Sequence, residues 1–349
     1  MPLCYRPRSP PATSRWSNGP QTAMRSGPAH RGPIDSEVTM KKPAYSPQAA
    51  AAEAQETAGK IHGLLREGRF SQARKALEHL GKSNLQVKRR RVRTQSADAV
   101  RLKRPVFICG LHRSGTTLLH DYLCAHYEVS FFQSAKVPEN EGQFLQDVYI
   151  AERPFGGPGA FAFYPQMQFA PLKKPERARK TASRLLAQWG SWVKGESPVL
   201  LEKSPPNIVR IPYFRSLFPN ARFIVWTRDP RAVSLSTRKW HNLPVPQLMA
   251  HWNTAYMKAF QDLGEDCILA RYEDFCEDPS GTANRIAAFC GLEKRSAPLP
   301  MAERFSAVKN SNAKYIANFP TTYRTRNLVR AWEYFGYTFS SNHGTAAND

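Results

Sequence analysis

One stretch constrains the fold of this chain more than any other: Val106-Phe107-Ile108-Cys109-Gly110-Leu111-His112-Arg113-Ser114-Gly115-Thr116-Thr117-Leu118-Leu119-His120. Four consecutive apolar residues suit a short strand covered on both faces. Gly110 and Gly115 bracket a tight turn, and the run from Thr116 reads as a helix. A strand feeding a glycine-bracketed turn and then a helix N-terminus makes an anion site. Backbone N–H groups point into the turn, and the helix dipole adds partial positive charge.

From Pro105 onward, apolar strand-like runs alternate with helical stretches, the pattern of an α/β fold with a central parallel sheet. Expected strands are Val106–Cys109, Val199–Glu202, Arg222–Thr227 and Cys267–Arg271. Expected helices are Thr116–His126, Glu176–Val193, Asn207–Phe218, Arg231–Arg238, Pro246–Leu263 and Ser280–Cys290. Between the first helix and Glu176 runs a long segment rich in Pro, Gly and aromatics, including Pro154-Phe155-Gly156-Gly157-Pro158-Gly159. A loop of that length inside a compact domain is usually functional, and covering an acceptor is its expected use.

The charge is uneven. Residues 1–104 hold 21 Lys/Arg against 7 Asp/Glu, a net of +14 out of +22 for the whole chain. Residues 1–44, rich in Pro, Ser, Arg and Gly with no acid before Asp35, cannot build a core and read as a disordered basic segment. The same composition suits an organellar transit segment, or upstream sequence before a start at Met40. Residues 45–85 read as a helical hairpin. Its Leu64, Leu65, Gly68, Phe70, Ala73 and Leu77 resemble part of a tetratricopeptide repeat without a second copy. Residues 86–103, with Lys88-Arg89-Arg90-Arg91, read as a basic linker, and 341–349 as a tail. Hydrophobic residues at 41% and aromatics at 11% exclude wholesale disorder. No stretch approaches the roughly 18–20 apolar residues of a membrane span, and no secretory-type leader is expected. Six cysteines without metal spacing suit a reducing compartment, so a cytoplasmic location is expected.

The loop nearly fits the triphosphate motif G-x-x-x-x-G-K-[ST], but Thr116 stands where that motif has its lysine, and a cation sits inside the turn at Arg113. Phe223-Ile224-Val225-Trp226-Thr227-Arg228 ends a second strand in arginine, with Ser236 eight positions further on. Arginine grips phosphate through two donors and keeps its charge, and a hydroxyl adds a third donor. Leu200-Leu201-Glu202-Lys203 ends another strand in lysine at the edge where open α/β sheets bind ligands.

These three elements resemble the sulfotransferases, over residues 104–340 and closer to the bacterial and tyrosyl-protein types than to the cytosolic phenol type. The resemblance implies a three-layer P-loop-like fold preceded by the small hairpin. It also implies the donor 3′-phosphoadenosine 5′-phosphosulfate (PAPS), with no metal. By resemblance, Leu111, His112, Arg113, Ser114, Gly115, Thr116 and Thr117 hold the phosphosulfate, Arg228 and Ser236 hold the 3′-phosphate, and Lys203 contacts the transferring group. Lys314, in Asn310-Ser311-Asn312-Ala313-Lys314-Tyr315, is the counterpart of a C-terminal cation that closes the site. A hydroxyl acceptor also needs a base. In the tyrosyl-protein type a Glu lies about twenty residues beyond the loop arginine, where this chain has Gln133-Ser134. The next carboxylates are Glu139 and Glu141, the latter preferred, and His112 is the alternative. The acceptor class stays open among glycans, tyrosyl peptides, lipids and small alcohols (an amine is the minor option). Two competing readings are a P-loop nucleotide kinase and a nucleic-acid-binding or scaffold protein. Nucleic acid is not an expected partner, because no aromatics interleave with the basic run.

Overall fold

A computed structural model describes residues 102–305, 308–320 and 330–338. Segment 1–44, the hairpin 45–85, most of the linker 86–103 and the tail 341–349 lie outside the described residues. In chain order the elements are β1 (Arg104–Cys109), α1 (Thr116–His126), β2 (Phe131–Phe132), α2 (Pro175–Gly190), β3 (Val193–Lys194), β4 (Val199–Lys203) and α3 (Ile211–Leu217). They continue with β5 (Arg222–Thr227), α4 (Pro230–Arg238), α5 (Val245–Asp262), β6 (Cys267–Arg271), α6 (Tyr272–Glu277), α7 (Pro279–Cys290), α8 (Ala313–Ile316) and α9 (Ala331–Tyr334).

The main sheet is parallel with order β4-β1-β5-β6. Apolar runs make these strands because both faces are covered. Phe107, Cys109, Phe223 and Val225 enter one core with α2, α3 and α5, whereas Val106, Ile108, Ile224 and Trp226 enter a second core with α1 and α7. Successive residues of each strand therefore serve opposite layers, which makes the architecture three-layered. In register, Ile108 faces Lys203 across β1–β4 and Cys109 faces Val225 across β1–β5. The carboxyl ends of β4, β1 and β5 thus lie side by side. The chain leaves β1 for a strand on one side and returns to a strand on the other, and such switch points form ligand crevices.

Two expected helices differ from the structure. The run 207–218 divides into a 3₁₀ turn, Pro205–Val209, and α3. Pro212 has no N–H to give the carbonyl of Ile208, so it is tolerated only in the first turn of a new helix. The helix expected to reach Val193 ends at Gly190, and Val193 instead pairs with Phe132 in an antiparallel ribbon. A β-branched residue favours that pairing. Tyr272-Glu273-Asp274 opens the short helix α6 directly after β6.

The long segment after β2 is built of successive 3₁₀ turns. It is packed into the core through Phe161 and Met167, both fully buried. Arg210, itself fully buried, donates to the carbonyls of Ile150 (2.8 Å) and Met167 (3.3 Å) and lies between the rings of Tyr149 and Phe169. Burial brings its guanidinium down to about 10. Among the described residues no helix is long and apolar enough to cross a membrane. Cys109, Cys124 and Cys290 are buried, as small apolar residues would be.

Candidate active site

The turn after β1 needs two left-handed residues, Arg113 at φ 66° and Gly115 at φ 94°. Glycine adopts that backbone freely, and a Cβ at Gly115 would lie 2.7 Å from Cδ2 of Tyr272. Arginine does so at a cost of about 1–2 kcal/mol. The turn is pinned from inside. Ser114 donates its N–H (3.1 Å) and its hydroxyl (2.6 Å) to the carbonyl of Leu111, while Trp226 Nε1 donates to Ser114 O at 2.9 Å. Ser114 and Thr116 are buried, and α1 has no side-chain cap on its first N–H groups. Uncapped donors at the positive end of a helix suit an anion.

Arg113 turns toward the residues that follow β5. Its Nε donates to Ser236 Oγ at 2.8 Å, and its guanidinium lies 4.5 Å from the centre of the half-exposed Trp240 ring. Asp229 caps α4 by accepting from Arg231 N, so the helix starts at once after β5 and carries Ser236 to the loop. Arg228, buried, donates to Asn312 Oδ1 (2.8 Å), Arg113 O (2.8 Å) and Ser311 Oγ (2.9 Å), and stacks 4.2 Å from the Tyr272 ring. Among the described residues neither Arg113 nor Arg228 has a carboxylate partner. Ser236 also donates to the Tyr315 hydroxyl at 3.3 Å. Burial pushes that phenol up, but the Ser236 hydrogen bond and the charges of Lys314 and Lys239 outweigh it and bring it below the usual tyrosine range. Lys314 itself is exposed beside Tyr315, its ammonium 5.1 Å from the ring.

The other side of the loop is organised differently. Lys203 and Glu141 are both buried and paired at 3.2 Å. Lys203 also donates to the carbonyl of Glu139 at 3.3 Å, while the Glu139 residue is exposed. The Glu141 segment is clamped to the end of β4 by Glu202 and Ser204. Gly142 N donates to Glu202 Oε1 (3.0 Å), Gln143 N to Ser204 Oγ (3.1 Å), and Trp189 Nε1 to Gly142 O (2.9 Å). Glycine is required at 142, since a Cβ there would sit 2.7 Å from Glu202 Oε1. Burial pushes the Glu202 carboxyl above its usual range despite donors from Ser204, Asn207 and Gly142.

From Glu141 a hydrogen-bonded chain runs inward. Gln143 Nε2 donates to Glu141 Oε2 (2.7 Å) and to Glu152 Oε1 (3.1 Å), and Glu152 Oε1 lies 2.9 Å from His112 Nε2. The His112 side chain is 10% exposed. Burial works against its charged form, yet Glu152, by charge and hydrogen bond, and Glu141 outweigh that and raise it above the usual histidine range. His112, Glu141 and Glu152 each offer one donor atom within 4.8 Å of the others, a spacing that could hold a cation. The Gln143 amide nitrogen already bridges the two carboxylates, and the Lys203 ammonium already faces Glu141. These donors therefore do not fit a resident metal.

The residues singled out in the sequence fall in two groups. Arg113 joins Arg228, Ser236 and Lys314, rather than Lys203. Sequence reasoning passed over Gln143 and Glu152, which connect Glu141 to His112. It also passed over Tyr315, Asn312 and Tyr272 around Arg228. The only signal for Glu152 was its being an acid inside an unusually long loop.

A sequence model of the sulfotransferase family matches residues 105–296, more than half of the chain. The chain belongs to the sulfotransferase family. A protein-tyrosine sulfotransferase of Drosophila melanogaster is 27% identical over 209 residues, covering 56% of this chain and 39% of the fly protein. Protein-tyrosine sulfotransferase A of Caenorhabditis elegans is 26% identical over 198 residues, covering 54% of this chain and 50% of the worm protein. The chain thus spans half or less of the length of these two relatives. Among solved structures, the sulfotransferase domain of the Synechococcus olefin synthase is 19% identical, with 68% of this chain and 96% of that domain covered and a TM-score of 0.41.

Proposed function

We propose that the chain transfers a sulfuryl group from PAPS to a hydroxyl-bearing acceptor by in-line displacement, with a tyrosyl peptide the first acceptor to test. The observation that carries this reading is the distribution of charge around the loop. Two arginines whose hydrogen-bond partners among the described residues are all neutral lie on one side, and a buried lysine–glutamate pair lies on the other. The first arrangement leaves positive charge for an incoming polyanion. The second offers a general base beside a cation.

In this reading Arg228, Ser236 and Arg113 hold the 3′-phosphate end of the donor, and the loop N–H groups with Thr116 and Thr117 hold the phosphosulfate. The acceptor oxygen attacks sulfur while its proton passes to Glu141. The bond from sulfur to the 5′-phosphate oxygen breaks, and 3′-phosphoadenosine 5′-phosphate (PAP) departs with charge that Lys203 stabilises. Glu141 is preferred to His112 as base because Nε2 of His112 is engaged by Glu152 and Nδ1 is buried away from solvent. Glu139 is third, since its link to Lys203 runs through the backbone carbonyl.

The test is a transfer assay with the purified chain, PAPS and a panel of tyrosyl peptide, glycan, lipid and small alcohol. The expected result is a mass gain of one sulfonate on an acceptor with equal release of PAP. Phosphorylation of an acceptor by ATP, with PAPS inert, would overturn the reading in favour of a kinase.

A further inference from the structure

Behind the loop, between α4 and α5, lies a small cavity lined by Leu111, His112, Ser234 and His251, with Gly159, Val233, Thr237 and Leu248 completing the wall. It offers about 10 Å³ to a water's centre, the room that one water requires. Three of its lining side chains each carry a buried polar atom with no hydrogen-bond partner among the described residues: His112 Nδ1, Ser234 Oγ and His251 Nε2. Buried polar atoms left unpaired cost about 1–3 kcal/mol each, so three around one cavity point to something that joins them. The two imidazoles pack edge-on against the same ring, Phe161, with centroids at 6.0 and 4.8 Å, and no direct hydrogen bond links them.

We propose that one fixed water occupies this cavity, accepting from Nδ1–H of His112, donating to Nε2 of His251, and using Ser234 Oγ as its third partner. His251 is then a positioning residue. It fixes the His112 ring through the water, and the ring fixes Glu152, Gln143 and Glu141 in turn. The polarity of the two imidazoles suits this bridge. Burial, with the charge of His112 adding to it, takes His251 down to about 3, so its ring is neutral and one nitrogen accepts. His112 holds Glu152 Oε1 at Nε2, and Glu152 and Glu141 raise it, which favours the form with N–H groups on both nitrogens. The groups that face His112 come from every neighbouring element. Glu141 and Glu152 come from the long segment, Lys203 from β4, Ser234 from α4, His251 from α5 and the Trp240 edge at 6.4 Å from beyond α4. None except the cavity supplies a partner for Nδ1. A water needs two to four polar partners, and this site supplies three.

The link to Glu141 rests on the proposed role of that residue as base, whereas the water itself does not, and the experiment separates them. Full-length chain labelled with ¹⁵N-histidine is examined by two-dimensional NMR as wild type, His251→Leu, His251→Gln and Ser234→Ala. The wild type is expected to show a His112 Nδ1 proton protected from solvent exchange. His251→Leu should speed that exchange about tenfold, the scale of one lost net hydrogen bond, and His251→Gln, which keeps an acceptor, should restore it. Ser234→Ala, a small change that leaves the packing intact, should move the exchange in the same direction if His251→Leu fails to fold. An unchanged Nδ1 proton in His251→Leu and Ser234→Ala would overturn the water site. If the water site holds, sulfuryl transfer by His251→Leu should fall in kcat about tenfold with the donor KM unchanged. A protected Nδ1 proton with unchanged kcat would overturn the positioning role. A wild-type chain that transfers no sulfonate at all, with the NMR result intact, would overturn the proposed function and leave the water site standing.

Discussion

Arg228 follows β5 and Lys203 ends β4, so these two cations flank the loop after β1 from opposite sides. Their surroundings differ. Among the described residues every hydrogen-bond partner of Arg228 is neutral, and Tyr272 stacks against its face, so its charge is left for a ligand. Lys203 is already balanced by Glu141, whose other oxygen is tied by Gln143 to Glu152 and His112. A site that must grip a polyanion keeps its cations unpaired. One that must move a proton keeps acid and base in a closed, oriented network. On the proposed function, the difference puts affinity on one side of the loop and turnover on the other.

The sharpest way to break that division is at Lys203. Lys203→Ala is expected to lower kcat about 10²–10³-fold, as for loss of an oxyanion donor, while PAP binding measured by calorimetry changes little. The variant also leaves Glu141 buried without its partner, at about 3–5 kcal/mol of stability. Lys203→Met combined with Glu141→Gln should recover the melting temperature without recovering turnover. Arg228→Ala should do the reverse. The Kd for PAP should rise about 10–100-fold, since a hydrogen bond to a charged group contributes about 1.5–3 kcal/mol, with kcat at saturating donor close to wild type.

Two smaller effects sharpen the comparison. Gly115→Ala forces a Cβ onto Tyr272 in a left-handed residue. It should cost about 1–3 kcal/mol in denaturant unfolding and weaken PAP binding, leaving the Glu141 network intact. The smallest effect concerns pH. His112 is raised above its unfolded value by Glu152 and Glu141. Its contribution to stability is therefore full below about pH 6.5 and is lost as pH rises through the raised value. The melting-temperature gap between wild type and His112→Asn should narrow with rising pH, and a gap that widens would contradict the assignment.

The same contrast explains what could be read from the sequence. β5 and β6 begin and end at the expected residues, and α1 does too, because apolar runs and a glycine turn are local signals. The ribbon at Val193 depended on tertiary pairing, whereas the break before Pro212 has a local cause, a proline inside the run 207–218. The meeting of Arg113, Arg228 and Ser236 was equally legible, since the loop residues are consecutive and Arg228 and Ser236 lie on one strand–helix unit. The transfer side was not. His112, the segment that carries Glu141, Gln143 and Glu152, and Lys203 are three separate stretches, and their meeting is set by packing: Glu202 and Trp189 clamp Gly142, and Arg210 holds the carbonyl of Ile150, two residues before Glu152. No spacing in the sequence encodes those contacts. Glu141 could be named as a candidate base, but Glu152 and Gln143 could not.

The division between grip and turnover is tested most directly by measuring donor binding and sulfuryl transfer on a single variant, Glu141→Gln. This isosteric change removes the carboxylate and keeps the clamp from Glu202 and Ser204. The expected result is PAP bound as tightly as by the wild type and turnover lowered roughly 10²–10⁴-fold, the range for loss of a general base. Turnover at the wild-type rate, or a loss of PAP binding that matches the loss of turnover, would contradict the account.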